Sequence, residues 1–512
     1  MKVTATDVPV LDGSSDLLGI IVFEDDVRPG QPPVLPALTA DLPGRIQRVI
    51  GEERFKAKPG QTLVLALTEP ASTRRLVLVG AGSRGSATPA DLRHPGAVLS
   101  RLAASLGVST LRVGWNSPAP GASEVELVLE ALAGGIALGA YRFDKYLAGE
   151  RRLPRTLQTV VLHTPEPLAA ITADAAIGRG LRVASAVADA RDLVNEPAGA
   201  LTPTALADWA SQRASESGLT ATVLGPAECR ERRMGLFLAV AQGSDQEPRF
   251  IHLAWQPPGA TKRVVLIGKG VTFDSGGLSL KTNEGMLDMK SDMAGAAAVL
   301  SAICAIADER LPIEVHALAA CTENMPSGRA YKLGDVLRSM AGKTVEINNT
   351  DAEGRLTLAD ALTYARELAP DVVLDFATLT GACVVALGPH TAGVMTNDEP
   401  TRTSWLGAAR AAGEEMWPLP LPTRLADQLR SEIADMRNTG ERWGGALTAG
   451  LFLREFAGDT PWVHVDIAGP ATTDKEWGAF GKGATGFGVA SIFEYVRALA
   501  SSENGTTRTS KS

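Results

Sequence analysis

Four apolar runs in the second half of the chain break off into polar or glycine residues, and no other feature narrows the fold as far. They are RVVLIG (263–268), EVHALAA (314–320), DVVLDFA (371–377) and WVHVDIA (462–468). Each has the length of a strand and little polar alternation, as expected of buried strands. They run into Lys269-Gly270, Cys321-Thr322-Glu323-Asn324, Thr378-Leu379-Thr380-Gly381 and Gly469. Helical patterns lie between them, at 293–308 and 357–369. In open α/β sheets ligands bind beyond the carboxyl ends of the strands, so the chemistry is expected there.

The first part shows the same rhythm more weakly. LGIIVF (ending at Phe23), TLVLAL (62–67), RLVLVG (75–80) and TLRVG (110–114) are strand candidates, and 124–139 is a helical one. A polar, proline-containing stretch near 151–167 interrupts the pattern. The segment 173–195 then has the spaced apolar residues of a long connecting helix. At 512 residues two or more domains are expected. The expected organisation is a smaller N-terminal α/β domain over 1–170, a connecting helix over 171–195, and a larger α/β domain over 196–500. The polar segment 501–512 is expected to be a disordered tail.

Composition removes several classes of function. The formal net charge of −8 supplies no global basic field, which counts against nucleic acid as the partner. The N-terminal residues lack the basic start and apolar core of a secretory signal, and no uninterrupted apolar run reaches the ~20 residues of a membrane helix. Cys229, Cys304, Cys321 and Cys383 form no CxxC pair, and are expected as buried free thiols. A cytoplasmic protein without a membrane partner is the expectation. Walker-type, GxSxG and HExxH motifs do not occur, so phosphate-loop, α/β-hydrolase and zincin chemistries lose their main evidence.

Acidic residues cluster at three places instead. Asp274 follows Lys269-Gly270 and precedes Ser275-Gly276-Gly277 and Lys281; Asp292 follows Met289; Asp351 and Glu353 flank Ala352, with Arg355 next. Four carboxylates gathered in one pocket repel one another unless a cation compensates them, and oxygen-rich sites suit zinc, manganese or magnesium. In an extended segment Asp351, Glu353 and Arg355 would share one face. Each piece also has an ordinary reading. Asp292 is a candidate helix cap, Asp274 a turn residue, Lys269 and Lys281 solvated charges, and Asp351, Glu353 and Arg355 a local ion-pair network. A shared metal site accounts for all of them at once.

Asn349 to Leu356 (NTDAEGRL) resembles the signature of the leucyl aminopeptidase family, peptidase family M17. The resemblance covers most of 190–490. It includes Asp192 to Pro197, Glu323 to Gly328, Ala377 to Ala382 and Asp466 to Gly469; Leu333 departs from it, standing where many relatives have proline. It implies a macro-like N-terminal domain and a catalytic domain with a mixed, helix-covered central sheet. It also implies two divalent metal ions, manganese or zinc, bridged by Asp274 and Glu353. Lys269 and Asp292 would complete the tighter site, and Asp351 the more exchangeable one. A hydroxide bridging the metals would attack the scissile carbonyl, Lys281 would stabilise the developing oxygen charge, and Arg355 would hold a bicarbonate. Met289, Thr378, Gly381 and Ala468 would line an apolar pocket for leucine-like first residues of peptide substrates. Relatives form hexamers, and the apolar side chains of 436–456 offer indirect support for a homohexamer.

Overall fold

The computed structural model describes residues 1–10, 13–28, 33, 42–66, 75–116, 122–152 and 156–506. It divides into two compact units, Met1–Ser185 with Lys475–Lys482, and Ala186–Asp474 with Gly483–Ser512. The division falls inside the helix Ala170–Asn195.

The first unit holds β1 (Lys2–Thr6), β2 (Leu17–Val22), β3 (Thr62–Ala66), β4 (Arg75–Gly80), β5 (Thr110–Trp115) and β6 (Thr159–His163). They form one sheet in the order β1-β6-β5-β2-β4-β3, parallel except for β3 against β4. Side chains alternate across it. Leu18, Ile20 and Val22 enter one core with Ile46, while Leu17 and Ile21 enter another with Leu99 and Ile136. β6 lies inside the stretch 151–167 expected to interrupt the pattern. Its five residues are too short to stand out from flanking polar positions, yet β1 and β5 pair it on both sides and bury Val160 and Leu162.

The second unit carries β7 (Thr220–Leu224), β8 (Arg249–Trp255), β9 (Arg263–Asp274), β10 (Glu314–Asn324), β11 (Val336–Arg338), β12 (Thr344–Glu346), β13 (Val372–Ala377), β14 (Ala392–Thr396), β15 (Met416–Pro418), β16 (Met436–Arg437) and β17 (Trp462–Asp466). Eight of them make a mixed sheet in the order β15-β14-β17-β13-β9-β10-β8-β7, and β11, β12 and β16 a small one. The central strands β17, β13, β9 and β10 are mutually parallel. On one face Val265, Ile267, Leu318 and Val373 pack in a core with Leu358, Leu362, Phe452 and Phe456. The other face is covered by the helix Ala294–Asp308, which is buried from Ala294 to Ala307. This helix lies directly on the backbone: a Cβ at Gly268 would stand 2.4 Å from Ala296 Cα, and one at Gly295 2.0 Å from the Phe376 carbonyl. The glycine- and alanine-rich composition is thus a packing requirement. The segment Asn283–Asp308 is long and apolar enough to cross a membrane, but 89% of its most apolar stretch is buried inside the protein.

Two strands outlast their apolar runs. β9 continues beyond Gly268 to Asp274 and β10 beyond Ala320 to Asn324, because the two keep pairing with one irregularity at Thr322/Glu323. Lys269 and Asp274 therefore sit on a strand, where loop positions were expected. At the other end, the helix Val489–Thr506 enters the expected tail, carried on by the buried Ile492, Phe493, Val496 and Ala500. Residues 507–512 lie outside the described residues.

Candidate metal and catalytic site

The carboxyl ends of β9, β10, β13 and β17 gather most of the residues singled out in the sequence. Lys269 leaves β9 into a fully enclosed position, 3% exposed, where an ammonium is costly unless every donor finds an acceptor. Three are present: Asp292 Oδ1 at 2.8 Å, Glu353 Oε1 at 2.8 Å and the Thr378 carbonyl at 3.1 Å. Burial opposes its charge, but Asp292 and then Glu353 hold the amine above its usual pKa. It is no surface lysine.

Asp274 closes β9, and Gly276 and Gly277 then take φ of +86° and +64°, the left-handed region that glycine enters without strain. The turn carries the chain to Lys281, whose Nζ stands 2.8 Å from Asp274 Oδ2 and 2.5 Å from Asp351 Oδ1. Asp274 Oδ1 accepts from Asn324 Nδ2 at 2.8 Å and from the Gly276 amide at 2.8 Å. Ser279 and Thr350 exchange amide-to-hydroxyl hydrogen bonds of 2.8 and 3.1 Å, which bind the turn to the 349–353 segment.

That segment is a turn that becomes a helix at Gly354, with Glu353 at its N-cap in helical geometry. The expected extended conformation is absent, and helix begins three residues before Thr357. Alternation along a strand is thus not what unites Asp351 and Glu353. The turn does so, and one oxygen each of Asp274, Asp351 and Glu353 lie within 4.8 Å of one another. Arg355, in the first helical turn, is buried and donates to the Asn438 carbonyl at 2.8 Å, leaving its Nε without a partner among the described residues. Burial lowers its pKa to about 10, so it stays charged at neutral pH.

Asp292 does not cap the helix Ala294–Asp308. Its Oδ1 faces Lys269 and accepts from the Thr378 hydroxyl at 2.9 Å. It follows the short 3-10 turn Met289–Ser291, which Lys290 fastens by donating to the Asn195 carbonyl at 2.6 Å. Met289 precedes Asp292 on this turn. Thr378 adjoins Lys269 and Asp292 directly, and Gly381 opens the helix Gly381–Leu387 three residues on. The Ala468 amide donates to Asp466 Oδ1, the same oxygen that accepts from the Leu379 amide, so its loop meets the 378–381 loop.

Four carboxylates thus surround two lysines. Burial raises Asp274 to about 6, helped by Glu353 against both lysines. Burial also raises Asp292, against the pull of Lys269. Glu353 goes the other way: burial opposes its charge, but Lys269 and then Lys281 hold it below its usual value. Asp292 Oδ2 and Glu353 Oε2 are buried oxygens that accept no hydrogen bond among the described residues. Buried acceptors are normally satisfied. Unpartnered carboxylate oxygens converging under excess negative charge are a donor set that fits divalent cations.

Sequence reasoning gave no role to Asn324, Thr350, Asn438 or Asp466. Asn324 and Asp466 have one signal, a polar residue closing an apolar run. Asn438, which accepts from Arg355 and donates to the Asn349 carbonyl at 2.6 Å, has none.

The glycine of the 349–356 signature has its own physical reason. A Cβ at Gly354 would lie 2.6 to 2.8 Å from Lys269 Cε, Nζ and Cδ. A free lysine would swing aside, but this one is fixed by three acceptors. Gly354→Ala is therefore expected to push Lys269 out of place at a cost of ~1–3 kcal/mol. Metal affinity, followed by titration calorimetry, should fall with it. Unchanged affinity in the variant would refute this account of the glycine.

Comparison with known proteins supplies the family. The model of the cytosol aminopeptidase family catalytic domain matches residues 188–493, and that of the family's N-terminal domain matches 20–149. The chain belongs to the cytosol aminopeptidase family. A probable cytosol aminopeptidase of Nostoc punctiforme is 42% identical over 502 residues, 97% of this chain and 99% of that one. Another, from a Cyanothece species, is 40% identical over 506 residues, 97% of this chain and 99% of its own. Among solved structures, a mutant of tomato leucine aminopeptidase superposes with a TM-score of 0.89 at 35% identity, covering 97% of this chain and 96% of that one. The bottromycin maturation enzyme BotP in complex with Mn gives 0.83 at 37% identity, covering 95% and 100%. This cytosol aminopeptidase family member is an enzyme that hydrolyses N-terminal residues from peptides.

Proposed function

We propose that this aminopeptidase is metal-dependent and prefers leucine-like first residues. The observation that carries the reading is the convergence of the buried Asp274, Asp292 and Glu353 and the part-exposed Asp351 on Lys269 and Lys281, with carboxylate oxygens left over among the described residues. Lys269, Asp274, Asp292, Asp351 and Glu353 would hold two divalent cations, manganese or zinc. When bound, such ions lower the pKa of water toward neutrality and polarise a carbonyl oxygen. Lys269 would ligate as the neutral amine, so metal binding must release its proton.

The chain's own groups do the rest. Lys281, 18% exposed and facing Asp274 and Asp351, would turn its ammonium toward the oxygen that gains charge in the transition state. Arg355 would hold a small anion, bicarbonate by resemblance to the family, beside that oxygen. Met289, Thr378, Gly381 and Ala468 would receive the first side chain, and their small or apolar character suits leucine. The deciding assay is hydrolysis of leucine-p-nitroanilide by metal-stripped enzyme, with zinc, manganese or magnesium restored separately. Full activity in protein that elemental analysis finds free of metal sinks the reading.

A cytoplasmic homohexamer belongs to the same proposal, on the ground of family membership. The apolar residues of 436–456 add less than expected, since Met436, Leu451 and Phe452 are buried within the single chain, while Trp443 is 73% exposed. Analytical ultracentrifugation should show a species near six times the 53.5 kDa chain mass. A fully active monomer at assay concentration removes the hexamer and leaves the metal chemistry standing.

A further inference from the structure

We propose that Asp466 is the positioning residue that sets the pocket for the substrate's first side chain, an inference that rests on the aminopeptidase site proposed above. Asp466 closes β17, paired with Ala377 of β13 on one side and Gly393 of β14 on the other, and is fully buried. Its Oδ1 accepts from the Leu379 amide and the Ala468 amide, both at 3.1 Å, and its Oδ2 accepts from the Thr380 hydroxyl at 2.7 Å. The carboxylate's hydrogen bonds tie two loops together, and the Cys383 thiol of the helix Gly381–Leu387 lies against it as well.

Those loops carry the pocket. The first begins with Thr378, whose carbonyl accepts from Lys269 and whose hydroxyl donates to Asp292, and it ends at Gly381. Thr380 also caps the helix starting there, through the Cys383 amide at 3.0 Å. The second loop carries Ala468. A single buried carboxylate therefore fixes the separation of the pocket's two walls and, through Thr378, their height above Lys269 and Asp292. Asp466 bonds to none of the proposed metal ligands; it reaches the pocket through the backbone of the two loops, and its charge also favours the ionised form of Arg355.

This role separates from a purely structural one by its dependence on substrate. The full-length, metal-loaded enzyme is assayed with leucine- and alanine-p-nitroanilide, alongside metal content. Wild-type activity on these substrates is recorded first, and its absence would defeat the proposed function without bearing on Asp466. Asp466→Ala leaves two amides and a hydroxyl without their acceptor. KM for the leucyl substrate should rise while alanyl turnover changes little, lowering the leucyl-to-alanyl ratio of kcat/KM by roughly 10-fold. Asp466→Asn keeps the shape and an acceptor for both amides, and should restore most of the ratio. Thr380→Val removes the Oδ2 bond together with the cap on the Cys383 amide and should lower the ratio by a few-fold, while Thr380→Ser, which keeps both, should hold it, so the pair decides the matter if Asp466→Ala does not fold. An unchanged ratio in Asp466→Ala, or in Thr380→Val, overturns the inference. So does an equal loss on both substrates accompanied by loss of metal, which would make Asp466 a support of the metal site.

Discussion

Lys281→Ala should retain most of its bound metal and lose ~10²-fold or more in kcat. The two lysines of the site differ in what surrounds them. Lys269 is enclosed, and its donors are used by Asp292, Glu353 and the Thr378 carbonyl. Lys281 reaches its carboxylates from the loop after β9 and keeps part of its side chain exposed, which leaves it free to turn toward a substrate. Removing it takes away a positive charge that Asp274 and Asp351 exchange for a cation, so occupancy survives while charge development in the transition state goes unanswered. The measurement is kcat with metal content determined on the same sample. Near-normal turnover with metal retained would reject the role. Lys281→Arg, which keeps the charge in a planar fork, should recover only part of the loss.

Glu353→Gln is expected to act on metal and activity together. Glu353 Oε1 faces Lys269, and its Oε2 is a buried oxygen with no partner among the described residues. The amide keeps the volume but brings a donor where a cation or an ammonium belongs. Loss of a residue that merely supports a metal ligand costs ~10–100-fold in metal affinity, and loss of a charged ligand itself should cost ~10²-fold or more. Titration of the stripped protein with manganese or zinc, followed by activity at saturating metal, separates the two effects. Activity that returns in full once metal saturates would show that Glu353 contributes affinity alone. Wild-type affinity in the variant would remove it from the ligand set.

The parts of this site legible in the sequence were those tied to strand ends. Runs such as RVVLIG and DVVLDFA are apolar because both faces of their strands are covered, so their ends, and the residues just beyond, could be located without coordinates. Residue chemistry did the same for the metal hypothesis, since several carboxylates near one lysine-bearing strand demand compensation. Local conformation was harder. β9 was expected to stop at Gly268, but partner strand β10 holds it to Asp274. The 351–353 segment was expected to be extended, but it turns into a helix whose first residue must be small because Lys269 passes beside it.

The sequence by itself determined the α/β class, the family signature and the residue types able to bind cations. Those follow from hydrophobic period and side-chain chemistry, which are local properties. The tertiary structure alone decided which groups support them: Asn324 behind Asp274, Asn438 behind Arg355, Lys290 behind the Met289 turn, and Asp466 between two loops. Apart from the Asp466 bond to the neighbouring Ala468 amide, each of these contacts joins residues fifty or more positions apart, and no local pattern encodes such a pairing. They arise because parallel strands bring distant segments to one edge of the sheet, where buried polar groups must find partners among whatever the fold has placed beside them.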